Sequence, residues 1–192
     1  MKSLIAAFRM ILVMTLLTGI IYPLAMFGAS QLLFPYEANG SLVYHDGKLI
    51  GSDLIAQKFT APQYFWPRPS AVDYIPLPSS GTNLAPTSQA LLDQITARRA
   101  MLDSLQPGVK PPDEMLLASG SGLDPHISPE SAEYQIDRVA RARDLSPDQL
   151  AHLQQLVKNS IEPYSAGFIG KPRINVLKLN ISVDSLFSIQ SK

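Results

Sequence analysis

The chain has 192 residues, with 16 basic and 16 acidic side chains and no cysteine. The balanced charge, which includes no basic run, argues against nucleic acid as a main partner. The absence of cysteine excludes disulfides, thiolate chemistry and a lipid-anchored cysteine, and the length suffices for one sizeable core.

An uncharged apolar segment lies near the start of the chain. No charged residue occurs between Arg9 and Glu37, whereas a helix needs roughly 20 apolar residues to cross about 30 Å of hydrocarbon. We therefore predict a cytoplasmic tail at 1–9, a transmembrane helix at 10–30 and an extracytoplasmic domain at 31–192. A cleaved signal peptide is the alternative, but its apolar stretch would be only about 7–15 residues long.

The charges that flank this segment predict its orientation. Lys2 and Arg9 precede the span, and the first charge after it is Glu37. Because positive residues stay on the cytoplasmic side, the N-terminus is expected inside and the domain outside. Within the span, Thr15 and Gly19 are four apart, a spacing that allows another helix to approach closely. The alternative is a lone anchor in which these small residues are incidental.

The domain begins with a predicted hairpin, followed by a long irregular loop. Residues 41–51 place short β-rich runs on both sides of Asp46-Gly47, a dipeptide that fits a two-residue type I′ turn. Residues 60–86 are rich in proline and aromatic residues and have no periodicity. In this loop, Trp66-Pro67-Arg68-Pro69 is expected to be a stiff, extended segment that presents Arg68 for protein recognition. The alternative is that the loop only covers the core.

Three helices and a final strand complete the predicted α+β domain. The first helix covers 87–105, with Leu91, Leu92, Ile95, Leu102 and Leu105 on its inner face. Ser-Pro-Glu at 128–130 and Ser-Pro-Asp at 146–148 each mark the start of a further helix. Residues 174–184 alternate between apolar and polar side chains, which predicts a strand. The fold class is a single transmembrane helix followed by one mixed α/β domain.

Asp124 and His126 precede the first of these Ser-Pro helix starts, in a glycine-rich turn. As metal ligands they would need further groups, and the other histidines, His45 and His152, are distant in sequence. As a hydrolytic set they would need a serine from Ser119, Ser121 or Ser128, but no recognisable catalytic motif surrounds them. A structural role is also open, because an aspartate before proline initiates turns. A partner contact is the fourth reading.

Four motifs resemble one known family. They are YFWPRPSA (64–71), SSGTNLAP (79–86), ASGSGLDPHISPE (118–130) and GKPRINVLKLN (170–180). In this order, and with one N-terminal span, they resemble the KdpC family, the C subunits of potassium-transporting Kdp P-type ATPases. The chain departs from the family pattern at Thr82, Leu117 and Ile75-Pro76.

The resemblance implies a non-catalytic subunit of a bacterial inner-membrane complex that imports potassium. The implied partners are a channel-like A subunit, an ATP-hydrolysing B subunit, a small single-span subunit and the lipid bilayer. The complex would use ATP, magnesium and potassium, while this chain would bind no cofactor directly. The family's C subunit is described as assembling the complex and as a chaperone that supports ATP use.

The implied link to ATP conflicts with the predicted topology, because ATP is cytoplasmic and the domain is expected outside. We therefore expect the domain to cap the external side of the channel-like subunit. The alternatives are an anchored periplasmic hydrolase that uses His126 and Asp124, or a free-standing anchored binding module. The candidate contact and motif residues are Tyr64, Phe65, Arg68, Pro69, Ser70, Asn83, Ser121, Asp124, His126, Ser128, Arg173 and Asn175.

Overall fold

The computed structural model describes residues 2–164 and 167–187. The chain divides into two compact units, with the boundary between Leu42 and Val43. This boundary lies later in the chain than residue 31, the predicted start of the extracytoplasmic domain.

The first unit is helical. It consists of α1 (Lys2–Met14), a π-helical segment (Thr15–Ile21), α2 (Tyr22–Leu33) and the short α3 (Pro35–Ala38). The first three of these form one helix, Lys2–Leu33, of 32 residues, which is long and apolar enough to cross a membrane. This helix extends beyond the predicted span of 10–30 at both ends.

The π-helical segment ends at Ile21, two residues before Pro23. Proline has no N–H and interrupts the regular hydrogen-bond ladder. At the end of the segment the backbone N–H of Tyr22 donates to the carbonyl of Leu17, five residues earlier. Local widening of this kind re-satisfies backbone groups in membrane helices.

The second unit starts with the predicted hairpin. Strands β1 (Leu42–His45) and β2 (Lys48–Ser52) pair, with Asp46 and Gly47 in the turn. Both turn residues have positive φ, 49° and 74°. A type I′ turn requires this conformation, so the prediction is confirmed.

Helices then alternate with two very short strands. They are α4 (Gln89–Leu105), a 3₁₀ turn (Asp113–Met115), β3 (His126–Ile127), α5 (Pro129–Ala142), α6 (Pro147–Asn159), β4 (Ile174–Asn175) and α7 (Val176–Leu186). Strands β3 and β4 are antiparallel, with His126 opposite Asn175 and Ile127 opposite Ile174. The predicted starts of α5 and α6 are confirmed, because Ser128 and Ser146 both cap their helices and Ser146 forms a full capping box.

The core lies between α5, α6, α7 and the two short strands. Its buried side chains include Ile127, Ala132, Val139, Leu153, Val157, Ile174, Leu179 and Val183, together with Phe65 from the irregular loop. A smaller cluster joins Leu102 of α4 to Met115 and Leu116. The mixed α and β content agrees with the predicted fold class.

The predicted strand at 174–184 is wrong, because all but its first two residues form α7. Its apolar residues fit both the two-residue period of a strand and the 3.6-residue period of a helix. The buried positions Val176, Leu179 and Val183 follow the helical spacing. Asn175 favours the helix over the strand, because its side chain accepts a hydrogen bond from the Lys178 N–H at 3.1 Å and caps the helix.

The predicted inner face of α4 is also partly wrong. Of its five apolar residues only Leu102 is buried, and the side chain of Leu92 is 48% exposed. The second core cluster contacts α4 through Leu102 and the half-buried Ile95, so packing involves mainly the C-terminal part of the helix.

Candidate functional site

The irregular loop is held in place by two buried amide side chains. Gln135 of α5 accepts a hydrogen bond from the Trp66 N–H at 2.7 Å and donates to the Trp66 carbonyl at 3.1 Å. Asn180 of α7 accepts a hydrogen bond from the Phe65 N–H at 2.8 Å and donates to the Phe65 carbonyl at 2.9 Å. Because buried backbone groups need partners, these two amides do for the loop what a neighbouring strand does in a sheet.

Two arginines complete this support. Arg138 donates to the carbonyls of Pro62 and Tyr64, at 2.6 and 3.0 Å, and its guanidinium lies 4.0 Å from the centre of the Trp66 ring. Burial lowers the pKa of Arg138 to about 10, against a smaller opposing effect from Tyr134, so it stays charged at neutral pH. Arg143 pairs with Asp184, to which the Tyr64 hydroxyl also donates.

The loop, once fixed, packs against the glycine-rich turn before β3. The Ser70 hydroxyl donates to the Gly122 carbonyl at 2.7 Å, and the Ser119 N–H donates to the Pro69 carbonyl at 3.0 Å. A Cβ at Gly122, whose φ is 70°, would lie 2.7 Å from a Val72 methyl group. Glycine is therefore required at this point of contact.

A further contact brings the SSGT segment to the same place. The Ser79 hydroxyl donates to the Ser121 carbonyl at 2.9 Å. A Cβ at Gly81 would lie 2.8 Å from the Gly120 carbonyl oxygen, so the two backbones are in close contact. The motifs at 64–71, 79–86 and 118–130 thus lie together.

Five charged or titratable side chains form a row across this surface, which we call the charged row: Arg68, Asp124, His126, Glu162 and Arg173. Arg68 Nη1 lies 3.5 Å from Asp124 Oδ2, and Asp124 Oδ1 lies 3.5 Å from His126 Nδ1. On the other side, His126 Nε2 lies 3.9 Å from Glu162 Oε2, to which Arg173 Nε donates at 3.0 Å. The row begins and ends with an arginine, and its formal charges cancel when His126 is neutral.

Asp124 has a structural role within the row. Its Oδ1 accepts a hydrogen bond from the His126 N–H at 3.0 Å, which makes a turn of the kind that aspartate before proline favours. Burial raises the pKa of Asp124, but hydrogen bonds from the side chain and backbone of His126, with the charge of Arg68, outweigh it and lower the pKa overall. The carboxylate is therefore ionised at neutral pH.

The remaining motif residues near the row are held by the strand pair and the helix starts. Ser128 caps α5, and its N–H donates to Glu114 Oε1 at 2.7 Å. Arg173 exchanges two backbone hydrogen bonds with Glu162. Asn175, only 3% exposed, caps α7 and donates from Nδ2 to the Asp53 carbonyl at 2.9 Å. Asn175 is thus a buried structural residue.

Other predicted site residues lie elsewhere. Phe65 is fully buried in the core, so its side chain is not available to a partner as predicted. The ring of Tyr64 packs against the Arg143 guanidinium, and its hydroxyl donates to Asp184. Asn83 is exposed, and its side chain lies 3.5 Å from the Ser80 hydroxyl, a local contact. In the first unit, Thr15 and Gly19 share a face, since a Cβ at Gly19 would lie 3.8 Å from Thr15 Cγ2.

The arrangement around His126 does not resemble a nucleophile and base. Across residues 2–164 and 167–187, no serine hydroxyl is hydrogen-bonded to His126; Ser121 Oγ instead accepts from the Leu123 N–H and Ser128 Oγ from the Ser131 N–H. Both ring nitrogens of His126 face carboxylates. In the same described ranges, no group of three or more His, Cys, Asp or Glu residues is placed to hold a metal ion.

Sequence reasoning missed several residues that build this surface. Glu162 stood alone between helix and loop, with no motif to identify it as the partner of Arg173. Gln135 and Asn180 occupy positions on helical faces where a buried polar residue is uncommon. A polar side chain at such a position was the sequence feature that could have identified them. Arg143 and Asp184 are 41 residues apart, so only the fold pairs them.

Comparison with known proteins assigns the family. The family model described as the c chain of the K⁺-transporting ATPase, KdpC, matches residues 4–185. A potassium-transporting ATPase KdpC subunit from Methylococcus capsulatus is 50% identical, over 94% of this chain and 96% of its own length. Similar proteins of the same name occur in Leptospira interrogans (45% identical, 94% and 93%) and Serratia proteamaculans (48% identical, 92% and 95%). The chain belongs to the KdpC family.

Proposed function

We propose that this chain is the C subunit of a potassium-transporting Kdp ATPase, in which it assembles and stabilises the complex without catalysing a reaction itself. The observation that carries the proposal is the family match, which runs from residue 4 to residue 185 and so includes both the span and the domain. The long apolar helix Lys2–Leu33 would anchor the chain in the membrane.

The domain would lie outside the cytoplasm and cap the external side of the channel-like subunit. The surface proposed for this contact is the one where the resemblance motifs meet, around the charged row. Its carboxylates and arginines are partly exposed, between 27% for Arg68 and 41% for Arg173. A surface with matched positive and negative groups favours one orientation of docking over others.

The span would supply the second contact. Thr15 and Gly19 share a face of the helix that is exposed in the isolated chain, and small residues allow close helix packing in lipid. Replacing Gly19 by leucine should weaken association with the single-span and channel-like subunits. Gly28→Leu, on the same helix with nothing within 4 Å of an added Cβ, is the matched control.

The effect of the C subunit on ATP use would then be indirect. An external domain does not meet cytoplasmic ATP, so any support of the hydrolysing subunit must pass through the membrane subunits of the assembled complex. We propose that stabilisation of one arrangement of these subunits raises the affinity for ATP, which is coupling through a shared conformational equilibrium.

The experiment is purification of the complex in mild detergent with variants of this chain. Ser121→Arg introduces a bulky cation at an exposed position beside the charged row, and Gln155→Arg introduces the same group on the exposed face of α6. We expect Ser121→Arg to reduce the amount of co-purified ATP-hydrolysing subunit and potassium-stimulated ATP hydrolysis, while Gln155→Arg leaves both unchanged.

Two results would count against the proposal. Wild-type chain that co-purifies with no ATPase would contradict the assignment as a complex subunit. Normal assembly with Ser121→Arg, in protein that is folded, would show that the surface around the charged row is not the contact.

A further inference from the structure

A second feature of the domain lies where the irregular loop meets α4. A cavity of about 260 Å³ opens there. Its lining is largely apolar and includes the aromatic side chains of Phe59, Trp66 and Tyr74, together with Pro67, Met101 and Met115. Pockets for drug-sized ligands span about 300–1,000 Å³, so this one suits a smaller molecule, such as one ring or a short chain.

Arg98 supplies the main charge in this apolar cavity. Its Nη1 donates to the Leu116 carbonyl at 2.7 Å and its Nη2 to Gln94 Oε1 at 3.3 Å. These two acceptors are neutral. Within residues 2–164 and 167–187, no carboxylate lies within salt-bridge distance of Arg98, whereas Arg68, Arg143 and Arg173 each have one.

Burial makes this isolated charge unfavourable. Desolvation lowers the pKa of Arg98, only partly offset by the nearby Tyr74, and burial raises the pKa of Tyr74 to about 12, so its phenol is neutral at physiological pH. The other cation of the lining, Lys58, already pairs with Asp73 at 2.7 Å. Arg98 is therefore the cation whose charge an incoming anion would balance.

We propose that this cavity binds a small organic anion with an apolar body, the carboxylate or similar group pairing with Arg98 and the body packing against Trp66 and the methionines. The apolar walls supply the burial of the body, and the guanidinium geometry suits a planar, two-oxygen anionic group. The proposal concerns a site that is separate from the charged row, and it does not depend on the function proposed above.

Trp66 is the only tryptophan in the chain, so all tryptophan fluorescence comes from a residue of the cavity wall. The experiment uses the full chain in nanodiscs of neutral phosphatidylcholine, titrated with 4-phenylbutyrate and with 4-phenylbutanol, which has the same body and no charge. We expect a saturable change in Trp66 emission with phenylbutyrate and binding of phenylbutanol that is weaker by about tenfold or more, as expected for loss of a charge-assisted hydrogen bond.

Matched variants test separately how the charge of Arg98 and the apolar wall of the cavity contribute to binding. Arg98→Gln should weaken phenylbutyrate binding by about tenfold and leave phenylbutanol unchanged, while Arg99→Gln, its neighbour on α4, should change neither. Met101 is 48% exposed at the cavity, so both of its polar variants should fold. Met101→Glu should repel phenylbutyrate alone, and Met101→Gln should bind it as the wild type does.

Three results would overturn the proposal. The first is no saturable change in emission up to about 10 mM phenylbutyrate, beyond the weak end of specific affinities. The second is equal binding of phenylbutanol and phenylbutyrate, which would indicate a site that does not recognise charge. The third is an equal response of Met101→Glu and Met101→Gln to phenylbutyrate.

Discussion

At the scale of single residues, polar side chains rather than regular strands give the longest loop its structure. Gln135 is hydrogen-bonded to the backbone N–H and carbonyl of Trp66, and Asn180 to those of Phe65. Such bonds add modestly to stability when made, but their loss leaves buried donors and acceptors unpaired, which is costly. The position of Arg68, two residues after Trp66, depends on this support.

Replacing Gln135 by leucine should therefore be strongly destabilising. Two partly buried backbone groups of Trp66 would each lose a partner at about 1–3 kcal/mol, so we expect a loss of about 2–6 kcal/mol in the free energy of unfolding. Urea unfolding of the full chain, followed by Trp66 emission, measures it. Gln154→Leu on the exposed face of α6 should stay within about 0.5 kcal/mol of wild type; equal effects of the two variants would argue against the support by Gln135.

Asp124→Asn tests the charged row, because the asparagine oxygen can still accept the bond from the His126 N–H. Only the charge is lost, so we expect destabilisation of about 0.5–1 kcal/mol at pH 7. The pKa of Asp124 is lowered in the folded protein. The stabilisation is therefore complete above the unfolded pKa of about 3.9 and is lost as pH falls through the lower folded pKa.

The measurement for Asp124 is the free energy of unfolding of both proteins from neutral to acidic pH. The two curves should converge as pH falls through the folded pKa of Asp124. A difference between wild type and Asp124→Asn that is the same at neutral and strongly acidic pH would contradict an electrostatic role. Asp137→Asn, on the exposed face of α5, should match wild type throughout.

At the scale of elements, local signals predicted the structure where capping and periodicity agree. Ser128 and Ser146 each precede a proline at the first helical position, and both helices begin there. Residues 174–184 were misassigned because their apolar positions fit both periods. The helical conformation is favoured by Asn175, which caps the N-terminus of α7. The strand pair β3–β4 also places Asn175 against the Asp53 carbonyl, a contact that the sequence does not reveal.

Asn175→Ala should accordingly destabilise α7 and its junction with the core. The loss of the cap costs about 0.5–2 kcal/mol, and loss of the bond to the Asp53 carbonyl adds about 1–3 kcal/mol. Thermal unfolding followed by circular dichroism measures the total. Asn175→Ser, which keeps a capping oxygen but not the amide donor, should lie between alanine and wild type; a serine variant no better than alanine would show that the cap contributes little.

At the scale of the whole molecule, the candidate site is built from segments far apart in sequence. The Ser70 hydroxyl and the Gly122 carbonyl are 52 residues apart, and Asn175 is 122 residues from Asp53. The resemblance identified most of these segments as important but could not show that they meet. It also could not separate Phe65, which is buried in the core, from Arg68, which is partly exposed, because neighbouring residues of an extended loop point in different directions.

At this scale the proposed function depends on the orientation of the chain in the membrane. The helix Lys2–Leu33 is apolar and long enough to span, and the cations Lys2 and Arg9 favour a cytoplasmic N-terminus. If the domain were cytoplasmic, the surface around the charged row could not cap the external side of a channel.

The absence of cysteine from the chain allows a direct measurement of this orientation. His152→Cys places one thiol on the exposed face of α6, and Ser3→Cys places one on the N-terminal side of the predicted span of 10–30. Each variant is treated, in intact bacterial cells, with a thiol reagent that does not cross the inner membrane. We predict that the cysteine at 152 is labelled in intact cells and the cysteine at 3 only after lysis; labelling of 3 in intact cells with protection of 152 would contradict the account.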